Sequence, residues 1–226
     1  EDWPQNGIDH FILARLEKTG LQPAPKATSQ NLRRRIHYAL TGLPPSGKNE
    51  SLNSLITKLL ATPQYGERWA RHWLDVVRYA DSNGLDENAA HANAWRYRDY
   101  VVRAFNADKP YDQFLIEQIA GDRLTTKDEA RRRELFIATG YLSLGPKVLA
   151  EPDKVKMEMD IIDEQIDTLG KSLLGLTLGC ARCHDHKFDP IPTADYYALA
   201  GIFKSTKTME SLKTIAKWHE NPVATP

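Results

Sequence analysis

Apolar residues recur three and four positions apart along most of this chain, and a Gly or Pro breaks each run. Ile8, Phe11, Ile12 and Leu16 make the first stripe, stopped at Gly20. Leu32, Ile36, Ala39 and Leu40 make a second, ended by Gly42 and Pro44-Pro45. Leu52, Leu55, Ile56 and Leu59 form a third, closed by Pro63. Trp69, Trp73, Val76, Val77 and Ala80 form a fourth, and Trp95, Val101, Val102 and Phe105 a fifth. A sixth opens near Pro110 and carries Phe114, Leu115 and Ile119 to Gly121. Thr126 with Glu129 reads as a capping box that opens a seventh. The longest runs from about Asp153 towards Gly179, with Ile162, Ile166, Leu169, Leu173 and Leu176 on one side. Gly170 and Gly175 inside it predict a kink or a close approach by another group. The last begins after Pro190-Ile191-Pro192, with Thr193 as its cap, and buries Leu199 and Phe203.

No alternating strand pattern, fixed-period repeat or low-complexity tract competes with this reading. The expected fold is all-α: an irregular multi-helix domain of about eight or nine helices with no significant sheet. One domain is expected over 1–220, with the start of a linker at 221–226.

Composition narrows the classes. A chain of 226 residues can bury a full core, and 41% hydrophobic with 27% charged residues is ordinary for a globular protein. Thirty basic residues balance thirty acidic ones, which argues against nucleic acid as a partner. No apolar run is long enough to span a bilayer, so no membrane span is expected. Residue 1 is Glu and no signal peptide is visible, so the chain reads as a piece of something longer.

The chemistry concentrates at Cys180-Ala181-Arg182-Cys183-His184, whose two cysteines are the only ones in the chain. A C-x-x-C-H run is the attachment signature of c-type haem. Two thiols one turn apart can each add to a vinyl group of one porphyrin, and the adjacent His184 then offers an imidazole nitrogen to the iron. Three other readings compete. A thioredoxin-like pair wants a strand before the motif, whereas a helical pattern precedes this one. A zinc site would draw on His184 and His186, crowding all four ligands into seven residues. A plain disulfide between Cys180 and Cys183 is the simplest alternative.

The stretch from Gly179 to Pro192, GCARCHDHKFDPIP, resembles the signature of the planctomycete cytochrome c-like domain family, a domain of unknown function. Other stretches are similar to it in the same order: IDHFILARL from Ile8, LTGLPP from Leu40, YGERWARHWLDVVRYAD from Tyr65, NAWRYRDY from Asn93 and PYDQFLIEQIAGD from Pro110. The resemblance covers about residue 4 to residue 208; the segment between Pro45 and Leu52 is shorter than relatives often have. It implies one covalent haem c outside the cytoplasm, periplasmic or secreted, often joined to a second conserved domain and to sugar-binding modules. It implies no established reaction.

A haem needs more than its proximal ligand. His72 is expected on the apolar face of the fourth helix, between Trp69 and Val76, and is the first candidate for the far side of the iron. His91, in a polar loop, is the second; Met157 and Met159 read as core filling. His186 is too near His184 to cross the ring and is expected to contact a propionate or a backbone carbonyl. Arg96 and Arg98 are candidate propionate donors. Arg33–Arg35 and Arg131–Arg133 read as solvated helix faces, as do Asp160, Asp163, Glu164 and Asp167. The oxygen-rich loop Asp81–Asn88 fails the EF-hand pattern and reads as a turn with side-chain caps.

The functional expectation is electron transfer within a larger extracytoplasmic protein, to a redox partner or an attached domain. The alternatives are a haem-dependent, peroxidase-like oxidoreductase acting on a carbohydrate-related substrate, and a non-haem structural module with a Cys180–Cys183 disulfide.

Overall fold

The computed structural model describes residues 3–47, 50–85, 87–213 and 215–220; the linker expected at 221–226 lies outside the described residues. Among these the fold is all-α, with nine α-helices: α1 Gly7–Lys18, α2 Ser29–Thr41, α3 Leu52–Leu60, α4 Pro63–Val76, α5 Ala94–Asn106, α6 Tyr111–Ala120, α7 Glu129–Ala138, α8 Lys154–Leu169 and α9 Thr193–Lys204. The sheet is a two-stranded scrap, β1 Met209–Ser211 against β2 Lys217–Trp218. No described helix is long and apolar enough to cross a membrane.

Helix ends follow local chemistry. Asn6, Thr28 and Ser51 cap α1, α2 and α3 by accepting backbone N–H bonds from Asp9, Asn31 and Ser54. The expected capping box of α7 is corrected: Asp128 is the cap, accepting from the Ala130 N–H, while the Thr126 hydroxyl accepts from the Asp128 N–H. Thr193 is likewise not the cap of α9; Pro192 occupies that position. The long eighth helix ends at Leu169, short of Gly179. Beyond it, Gly170–Leu174 forms one π-helical turn and Gly175 reverses the chain with φ 66°. Gly170 is required there, because a Cβ would lie 2.6 Å from Cγ of Leu178 and 2.8 Å from the Leu176 carbonyl.

Two aliphatic and aromatic cores result. The larger sits among α4–α7 and contains Ala70, Val77, Tyr97, Tyr100, Val101, Phe114, Ala138 and Tyr141. Gly66 lets α4 and α5 cross closely, since a Cβ would lie 2.5 Å from the Val102 carbonyl. Asn106 locks that crossing, accepting from the Gly66 N–H at 2.8 Å and donating to the Pro63 carbonyl at 3.2 Å. The smaller core joins α8, the turn Leu178–Arg182 and α9 through Ile162, Ile166, Leu178, Ala181, Tyr196 and Ala200. A third cluster of Leu149, Met157, Ile161 and Ala216 seats the strand pair. The helix predicted at residues 8–16 forms, yet Ile8 and Phe11 stay 71% and 82% exposed, so its stripe is not core in this chain.

Polar groups tie the two cores together. Arg78 and the buried Lys147 both pair with Glu164 of α8. Tyr141 donates to Ser172, which donates to the Thr168 carbonyl. Asn83, fully buried, donates to the Lys147 carbonyl at 2.9 Å and accepts from the Ala89 N–H at 2.5 Å. This knits the loop after residue 80 as the side-chain-capped turn expected of it, although Asp86 of that loop lies outside the described residues.

Candidate functional site

The motif Cys180–His184 rides on a single 3₁₀ turn, Leu178–Arg182, between the reversal at Gly175 and α9. Leu178 and Ala181 point down into the smaller core, so the residues between them must point away. Cys180 is accordingly exposed, Cys183 and His184 just past the turn are exposed as well, and both cysteines are free thiols. Buried apolar neighbours hold the turn while its reactive atoms face solvent.

Each flanking side chain is tied down. Arg182, inside the motif, reaches back to α8, where Nη2 lies 2.8 Å from Asp160 and Nη1 3.3 Å from Asp163. Tyr196 of α9 donates to the same Asp163 at 2.5 Å, and Tyr197 donates to the Arg182 carbonyl at 3.1 Å. Asp185 accepts from the Thr193 N–H at 2.8 Å, satisfying an orphan donor at the start of α9. Partial burial would raise the Asp160 carboxyl pKa, but hydrogen bonds from Lys156 and Arg182 outweigh it and hold the group below its ordinary value. Burial likewise pushes the Tyr196 phenol up, with the Asp163 carboxylate adding to the rise.

The two histidines of the motif differ in what is left free. His184 donates Nδ1–H to the Asp185 carbonyl at 2.8 Å, which leaves Nε2 of an exposed ring with no hydrogen-bond partner among the described residues. Orientation of one ring nitrogen by a backbone carbonyl is how metal-ligating histidines are set up. His186 has no such freedom. Its Nδ1 accepts from the Asp189 N–H at 2.9 Å and the Phe188 N–H at 3.3 Å, and its Nε2 meets Thr177 Oγ1 at 2.9 Å. A nitrogen that accepts two N–H bonds carries no proton, so Nε2 is the donor to Thr177. His186 therefore staples the two arms of the motif loop: where a contact to a propionate or a backbone carbonyl was expected, both nitrogens bond within the loop, to Thr177 and to backbone N–H groups.

Among the remaining sequence candidates, Met159 packs against the core beneath this turn, while His72, His91, Arg96, Arg98 and Met157 have their contacts on other elements. His72 is exposed, not on the apolar face of α4; Ala70, Trp73 and Val77 define that face, and a step of one residue back from Trp73 turns it about 100° away. Its ring stands 5.3 Å from Trp69. His91 is half-buried, 5.7 Å from the Trp218 ring, with Nε2 unpartnered; burial and the neighbouring Lys147 ammonium lower its pKa. Arg96 lies over the Trp95 ring and bonds Asn93, while Arg98 pairs with Asp99; both are exposed on α5, in the other core. Met157 is buried in the third cluster and Met159 packs against the smaller core, as filling.

Two surfaces read as solvated are corrected. The acidic stripe of α8 is the anchor of the motif, with Asp160 and Asp163 on Arg182, Glu164 on Arg78 and Lys147, and Asp167 on Lys171. Arg131 is half-buried and pairs with the fully buried Glu117. The readable signal was an arginine inside C-x-x-C together with carboxylates three apart on the preceding helix. Among the described residues no three His, Cys, Asp or Glu side chains are grouped so as to hold a metal ion.

A family described as PSCyt2, protein of unknown function (DUF1549), matches residues 7–208, and the chain belongs to it. No curated protein and no solved structure matches the chain.

Proposed function

For this member of a family of unknown function, we propose an extracytoplasmic c-type haem domain that carries electrons to a partner protein or a joined domain. The observation that supports it is the division of labour at one turn: two exposed free thiols, and a His184 whose Nδ1 is engaged while Nε2 is open. The donor set fits the group. Cys180 and Cys183 would hold it by thioether bonds, and His184 Nε2 would bind its iron. Phe188, 84% exposed, and Tyr197, 51% exposed, would offer such a group aromatic surface near the turn. Bound there, the group supplies a one-electron iron couple. Arg182, Asp160, Asp163 and Tyr196 fix the turn, and its exposure would leave a group held there open to a partner.

A second reading rests on the location of the other histidines. His72 lies on an exposed face of α4, and His91 packs beside Trp218. If His184 is the sole protein ligand, one axial position stays open to small molecules, and the domain is then a haem-dependent oxidoreductase on a carbohydrate-related substrate. Absorption spectra of protein matured in a haem-attaching periplasm distinguish the two. The carrier gives a Soret band, slow or absent carbon monoxide binding when reduced, and negligible peroxide turnover. Rapid carbon monoxide binding with turnover proportional to haem content supports the oxidoreductase. Absence of a Soret band in matured protein removes both.

A further inference from the structure

A cavity of about 200 Å³ opens on the larger core, far along the chain from the motif, between α4, α6 and the loop after α5. Its walls are aromatic. Trp73 meets Phe114 edge to face at 5.0 Å, Phe105 meets Phe114 the same way at 6.0 Å, and Tyr65 adds a further wall. The Gly66–Asn106 lock described above fixes Tyr65 against the end of α5.

Charge at the mouth is one-sided. Lys109 lines the cavity, but its ammonium is turned away: it donates to the buried Glu117 at 2.6 Å and lies over the Tyr100 ring at 4.7 Å. Its charge is already matched inside the core, where Glu117, Glu134, Lys109 and Arg131 sum to zero. Asp108 sits next to it on the rim, exposed and in the left-handed region with φ 47°. Its carboxylate has no hydrogen-bond or ion-pair partner among the described residues, and the hydroxyls of Tyr65 and Tyr111 make no hydrogen bond either. Trp73 has its indole N–H committed to Gln118 at 2.9 Å, so what it offers the cavity is ring surface alone.

Aromatic faces carry negative quadrupole density, and an unpaired carboxylate at the opening adds to it. An anion would be repelled from such a cavity, and a purely apolar ligand would leave Asp108 unused. The volume is below that of drug-sized sites, so the ligand is a headgroup-sized molecule. We propose that this cavity binds a small organic cation of the methylated-ammonium type, its methyl groups against Trp73, Phe105 and Phe114 and its charge facing Asp108. This site is independent of the haem reading.

The test is titration of the full chain with choline, followed by ¹H–¹⁵N NMR, with 3,3-dimethyl-1-butanol as the neutral isostere. Choline should saturate at millimolar concentration and shift the Trp73 indole and the Asp108–Lys109 amides, while the isostere binds at least about fivefold more weakly. Asp108→Asn, which the left-handed backbone tolerates, should weaken choline at least about threefold and leave the isostere unchanged. Equal binding of choline and its isostere, an unchanged Asp108→Asn affinity, preference for a neutral methyl glycoside, or no shift up to about 10 mM each overturn the proposal.

Discussion

Glu117 on α6 and His184 on the motif turn stand at opposite extremes of one molecule. Glu117 has a fully buried side chain and three donors around it, from Lys109, Arg131 and Tyr100. His184 lies in the open, with one nitrogen bonded to the backbone and the other unengaged. The unit of α4–α7 spends its polar chemistry internally: Trp73 and Tyr97 both donate to Gln118, at 2.9 Å and 2.5 Å. The unit of α8 and α9 does the reverse, using Arg182, Asp163 and Tyr196 to hold a turn whose thiols face outward. A group that is buried and fully partnered is scaffold; a group held rigidly by scaffold and left unpartnered at the surface is available for chemistry.

The largest effect that sharpens this contrast is expected at Glu117. Glu117→Ala leaves Lys109 and Arg131 with only the half-buried Glu134 carboxylate between them and should cost about 3–5 kcal/mol in urea unfolding. The pH dependence has a definite sign. Burial acts to raise the Glu117 pKa, but hydrogen bonds from Arg131, Lys109 and Tyr100 outweigh it and hold it below the ordinary value of 4.5. Its contribution is therefore complete above about pH 4.5 and is lost as pH falls through the depressed folded value. Wild type should lose stability on that acid limb, and the Glu117→Ala variant should show a flatter one.

Next comes the motif anchor. Arg182→Leu sets Asp160 and Asp163 against each other and should cost about 1–3 kcal/mol, with faster amide exchange over residues 178–186 than elsewhere. An unchanged exchange pattern would break the claim that α8 holds the turn. His186→Ala removes one acceptor and one donor from the loop and should cost about 1–2 kcal/mol while leaving His184 exposed. The smallest effect belongs to Arg98→Ala, whose exposed partner Asp99 adjoins it in sequence. It should change stability by less than about 0.5 kcal/mol and leave any haem spectrum unaltered.

Much of the fold was legible because helix stripes and Gly or Pro stops are local signals. Gly42 and Gly20 end α2 and α1 as read, and α5 and α6 fall where their apolar spacing sets them. What was not legible depends on contacts between distant residues. The end of α8 is set by Leu178 packing on Gly170, and the face of His72 by which side of α4 meets α5. The motif itself was readable from spacing, whereas its anchor required knowing that Arg182 folds back over Asp160 and Asp163. The staple at His186 was hidden for the same reason, since Thr177 and Asp189 meet it only once the loop has closed.

The central claim is that Cys180, Cys183 and His184 form an open attachment site for one haem. Intact-mass spectrometry under denaturing conditions, on protein matured in a haem-attaching periplasm, tests it most directly. The expected mass is that of the chain plus one haem, retained after unfolding and absent from the Cys180→Ala/Cys183→Ala variant. A fully matured wild-type chain that carries no added mass, or only the loss of two hydrogens from a Cys180–Cys183 disulfide, would contradict it.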